Sequence, residues 1–244
     1  MPAGELIVEA QTLAVVVLGT FNPPIISPWW LQSQGLLGET EAEEAEDLVV
    51  VPQLSQFNLP WLKVQVLQDR FLMLSEDPLE WDRLRDTILG VFTVLRHTPV
   101  AAVGINVAYH YRLPSNAAWH ELGDTLVPKE PWDGLSLPGL RSLTIEGARP
   151  DVWLGHVRVR VEPSEAVPNG LFVEHNDHYA LEKFDHVVES RNDPHDLERL
   201  SALADLKPSP DRGEELMEVL GGQWTDSVNR AERVAQHVAR MAGV

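Results

Sequence analysis

The sequence predicts an α+β domain with mainly antiparallel sheets packed by helices. Three observations lead there: period-two alternation around a polar turn between Leu62 and Leu74, a capped amphipathic helix from Pro78, and a long alternating run from Val103 to Leu113. The 244 residues suffice for one domain with a substantial core. A finer reading divides it into two similar halves, 1–127 and 138–244, each a strand-strand-helix-strand unit.

Leu13 to Leu18 is a continuous apolar run, as expected of a buried strand, and Gly19-Thr20-Phe21-Asn22-Pro23-Pro24 ends it. Pro28 opens a short helix through Trp29, Trp30 and Leu31. Residues 39–47 are dominated by Glu39, Glu41, Glu43, Glu44, Glu46 and Asp47 and predict a solvated loop, and Leu48 to Leu54 returns to extended chain. Leu62, Val64, Val66 and Leu67 interleave with Lys63 and Gln65, and after Gln68-Asp69-Arg70 the run Phe71 to Leu74 completes a hairpin. Asp77 before Pro78 can accept the free N–H groups of a first helical turn. Trp81, Leu84, Ile88, Val91, Phe92 and Leu95 then recur at three-and-four spacing, and Thr98-Pro99 stops the helix.

In the next strand Val103, Ile105, Val107, Tyr109, Tyr111 and Leu113 point one way, and Ala102, Gly104, Asn106, Ala108, His110 and Arg112 the other. The second set makes Asn106, His110 and Arg112, beside small neighbours, a candidate groove. Ser115 caps a short helix carrying Ala118, Trp119 and Leu122, and Pro128, Pro131, Pro138 and Gly139 mark a long connection. Strands are expected over Leu140–Ala148, His156–Glu162 and Leu171–Leu181, the last one bent. Helical pattern follows from Pro194. Its final stripe runs from Leu216 through Leu220, Trp224, Val228, Ala231 and Val238 to Met241, with Gly221-Gly222 as a break and Arg230, Arg233 and Arg240 on the outside.

The succession Gln65-Val66-Leu67-Gln68-Asp69-Arg70-Phe71, a helix, and Val103-Gly104-Ile105-Asn106 resembles the pattern of a sporadically distributed, uncharacterised bacterial family of about this size. The match covers the middle third of the chain. It implies an α+β fold type in a bacterial protein and no activity.

Composition narrows the function classes. Lys+Arg 19 against Asp+Glu 37 gives a net charge of −18, a field that repels nucleic acid and anionic membrane and favours a basic protein partner. With no cysteine there is no disulfide, thiolate nucleophile or cysteine metal site, which fits a reducing compartment. The N-terminus carries Glu5 and Glu9 instead of a basic region, and the Leu13–Leu18 run is too short to span a bilayer, so a cytoplasmic protein is expected.

Three places could carry chemistry. Gly19-Thr20-Phe21-Asn22-Pro23 after an apolar strand is similar to the phosphate-approaching loop of nucleotidyltransferases, but the histidine pair those enzymes need downstream is missing, which leaves a strand-ending turn. His175, Asp177 and His178, with His156 and His186 near in sequence, could hold a divalent metal; the same residues read equally as the polar tip of a hairpin. Among eight tryptophans, Trp29, Trp30, Trp132 and Trp153 lie beside turn signals and are candidate partner contacts, or else covers for the open ends of sheets. The sequence therefore favours a non-catalytic subunit, adaptor or inhibitor that binds another protein and needs no cofactor. The alternative is a metal-dependent hydrolase built on His175, Asp177 and His178.

Overall fold

The computed structural model describes residues 7–183 and 206–242. The start of the helical pattern expected from Pro194, and His186, lie outside them.

Among the described residues, alternation along the chain becomes nine strands in a single antiparallel sheet. They are β1 (Ile7–Gly19), β2 (Glu46–Val51), β3 (Leu54–Asn58), β4 (Lys63–Leu67), β5 (Arg70–Ser75), β6 (Val100–Arg112), β7 (Leu143–Ala148), β8 (Trp153–Pro163) and β9 (Gly170–Lys183). Their spatial order is β2-β3-β4-β5-β1-β6-β9-β8-β7. The helices are α1 (Pro28–Ser33), α2 (Glu39–Glu43), α3 (Trp81–Val94), α4 (Asn116–Leu126), α5 (Gly213–Glu218) and α6 (Trp224–Arg240).

The strand order is symmetric about its centre. β1 pairs with β5 on one side and β6 pairs with β9 on the other, while β1 and β6 pair with each other over their lengths. The chain thus runs twice through strand, helix, three-strand meander, helix, with β2 added as an outer edge. The repeat divides between Val94 and Val100, because β6 opens the second unit; the 1–127 and 138–244 partition would leave β6 in the first.

Local chemistry starts three of the helical segments where the sequence places them. Ser27 accepts from the Trp30 N–H, Asp77 from Leu79 and Ser115 from Ala118. The Gly221-Gly222 break is a π-helical segment, Val219–Gln223, joining α5 to α6. Residues 39–47 form α2 and the start of β2, not a solvated loop. Ala42 is buried, and Glu41 accepts from Trp61 Nε1 at 2.9 Å and from Arg83 Nη2 at 2.8 Å, which fastens α2 to α3.

One hydrophobic core fills the helix side of the sheet. Leu13, Val15 and Val17 of β1, Phe71 and Met73 of β5, Ile105 and Val107 of β6, and Val173 and Tyr179 of β9 meet Leu84 and Ile88 of α3, Trp119 and Leu122 of α4, and Trp224, Ala231 and Ala235 of α6. The intervening strand residues project from the other face and take no part in this core. No helix of the described residues is long and apolar enough to cross a membrane.

Candidate functional site

That second face is the candidate site. A cross-strand row can be followed from β3 to β7 through Asn58, Lys63, Leu74, Ala14, Asn106, Asn176, Arg158 and Glu146. A parallel row runs through Gln65, Leu72, Val16, Gly104, His178 and His156. Each row changes character at the β1–β6 ladder. On β1 and β5 it is aliphatic, with Leu18 on the same face and 41% exposed, and on β4 and β3 it turns polar again at Lys63, Gln65 and Asn58. Toward β7 it is polar.

The polar half is tied together side chain to side chain. Asn176 donates to the Asn106 carbonyl. Arg158 donates to Glu146 at 2.7 Å, and this bond leads in holding the Glu146 carboxyl below its ordinary range. Arg160 donates to Glu174 at 3.1 Å and lies over the Phe172 ring. His156 and His178, register partners on β8 and β9, stack with ring centres 4.6 Å apart. Burial first, and then the neighbouring His156, lowers His178 to about 4, so both imidazoles are neutral at pH 7.

The groove candidates fall on this face. Asn106 is engaged by Asn176, the His110 Nδ1 lies 2.7 Å from the Ser164 hydroxyl, and Arg112 is 2.6 Å from the Glu9 carboxylate. The His110–Ser164 pair is a turn clamp. Ser164 Oγ accepts from the Ala166 and Val167 N–H groups, so its own proton is directed to His110.

The expected hairpin tip is the middle of β9, and this divides the metal candidates. His175 and Asp177 point into the core and His178 points to the open face, because neighbours on a strand alternate. His175, Asp177 and His178 therefore cannot share one ion. Among the described residues no group of three His, Cys, Asp or Glu is placed to hold a metal. Asp177 is committed elsewhere: one oxygen accepts from Arg149 and the other from Arg230 at 2.7 Å. Arg149 also makes a two-point contact with Asp151 and stacks 3.4 Å from the centre of the Tyr179 ring. Arg230 thus turns inward from α6, contrary to its expected place on the outside. His175 is fully buried with neither ring nitrogen hydrogen-bonded, and burial lowers it to about 4.

The tryptophans separate as well. Trp29 and Trp132 are about half exposed and Trp30 is partly buried against the core. Trp153 is buried edge-on to Tyr179 beneath the Lys183 ammonium, which removes it as a partner contact.

Sequence reading missed Arg149, Asp151 and Tyr179. The available signal was Asp177 itself, a carboxylate at an inward position of a strand, which requires cations brought from elsewhere. No protein-family model and no curated protein matches the chain.

Proposed function

We propose that this chain is a non-catalytic protein-interaction module whose open sheet face receives another protein. The carrying observation is an aliphatic band at the centre of that face, Val16, Leu18 and Leu72, outside the core and beside a half whose polar groups are already paired. Apolar surface next to a fixed polar rim is the composition of a contact surface. Pairing of Asn106 with Asn176, Arg158 with Glu146 and Arg160 with Glu174 holds the rim in place before any partner arrives. The net charge of −18 favours a partner with a basic surface.

The test is capture from native extract of the source cells by the immobilised full chain, alongside Leu18→Arg. The expected result is a stoichiometric partner recovered by the parent chain and lost from the folded variant. Recovery of the same partner by both, or of none by either, overturns the reading.

A further inference from the structure

The turn that ends β1 also closes one side of a cavity of about 140 Å³, whose other side is the C-terminal end of α3. Backbone bonds fix this turn. The Thr20 N–H donates to the Pro99 carbonyl at 2.8 Å and the Phe21 N–H to the Gln68 carbonyl at 2.8 Å. Gly19 leaves no room for a side chain, since a Cβ would press on the Pro99 oxygen and come within 2.9 Å of the Phe21 ring. Phe21 is thereby held as one wall of the cavity. Phe71 and Phe92 are the adjoining walls, with ring centres 6.1 and 6.5 Å from that of Phe21 and 5.2 Å from each other. Ile25, Val91 and Leu95 extend the apolar lining. Thr20 and Asn22, both exposed, and the half-buried Thr98 form the mouth. None of these three side chains is hydrogen-bonded among the described residues.

We propose that this cavity binds a neutral small molecule built on one aromatic ring that carries a hydroxyl or amide group. Volume sets the number of rings. Folded interiors leave few voids larger than a water molecule, and an apolar cavity of about 150 Å³ admits one benzene ring, so a fused pair of rings is too large. The walls select aromatic character, because two of the three phenylalanine contacts are already edge-to-face and a fourth ring continues the cluster as a saturated ring cannot. Charge excludes ions. No charged side chain lines the cavity to offset the desolvation of an ion, and the net charge of −18 repels a carboxylate. The polar substituent belongs at the mouth, where Thr20, Asn22 and Thr98 offer both donors and acceptors. The cavity lies on the helix side of the sheet, so this inference stands apart from the open-face reading.

The experiment is titration of the full chain with benzyl alcohol, followed in methyl NMR spectra. Saturable shifts are expected at Ile25, Ile26, Val91 and Leu95, with distant methyl groups unmoved. Cyclohexylmethanol should bind roughly threefold more weakly or worse. Benzoate and naphthylmethanol should each bind about tenfold more weakly or worse. Ile25→Trp and Leu95→Phe fill the cavity from half-buried positions, and either variant that keeps the parent's circular dichroism should lose the shifts. The ligand series needs only the parent chain, so it decides the matter should neither variant fold. Absence of saturable shifts at these methyl groups overturns the proposal. So does equal binding of the saturated, charged or two-ring compound, or binding that survives in a folded filled variant.

Discussion

Arg149 and Asp177 form an ion pair from which solvent is excluded on both sides, with side-chain exposures of 1% and 0%. The pair joins the connection after β7 to the middle of β9, and Arg230 on the second carboxylate oxygen extends the tie to α6. Asp177→Ala leaves two guanidinium groups without their shared acceptor. The expected loss is about 3–5 kcal/mol in urea unfolding, as for other broken buried pairs. Arg230→Ala costs less, because Arg230 lies nearer the surface and Arg149 keeps Asp177 paired.

His175 gives the opposite expectation. Its imidazole is desolvated with no hydrogen bond in return, so His175→Leu removes an unpaid polar burial at similar volume. The variant should gain about 1–2 kcal/mol by the same measurement. A destabilised variant would mean that the ring makes a contact that leucine cannot replace.

The two lowered histidines set a pH dependence. His175 and His178 stay neutral in the fold down to about 4, whereas in the unfolded chain they take up protons near 6.5. Between those values the unfolded state binds more protons, so stability rises with pH there and is lost as pH falls from about 6.5 toward 4. Melting temperature should drop over that window, and His175→Leu should flatten part of the drop.

Gly155 marks a backbone limit. It sits where β8 shifts register against β9, at φ 142°, and a Cβ there would lie 1.9 Å from the His178 carbonyl oxygen. Gly155→Ala is expected to cost about 3 kcal/mol or more, since strain and collision add. Thermal unfolding of the variant checks this.

Leu18→Arg, used above to block the open face, should leave stability within about 1 kcal/mol of the parent, because Leu18 is exposed and outside the core. A large loss in a melting experiment would place Leu18 in the fold's own packing.

Legibility in the sequence followed the reach of each interaction. The 62–74 hairpin, α3 and β6 were readable because their apolar spacing and the Asp77 cap are local. β9 was legible as a strand over Leu171–Leu181, but its middle also reads as a hairpin tip, because His175 and Asp177 occupy inward positions where alternation calls for apolar residues. The cation that accommodates Asp177 there, Arg149, lies 28 residues earlier. α2 was hidden in the same way. Six carboxylates suggest a solvated loop, yet the partners of Glu41 stand 20 and 42 residues further along, at Trp61 and Arg83. The open face was half visible: Asn106, His110 and Arg112 fell on it, but the residues flanking them, Asn176, His178 and Leu72, come from strands whose neighbours only the sheet order reveals.

That order also bears on how the polypeptide can be divided. β1 and β6 meet as strands of two separate subunits would, each backed by its own meander, and the connection at 95–99 works as a tether that keeps the local concentration of one unit around the other high. Cut at the tether, each piece keeps a thirteen-residue strand whose natural mate is on the other piece. The same arrangement would let two chains that traded second units rebuild every ladder between them.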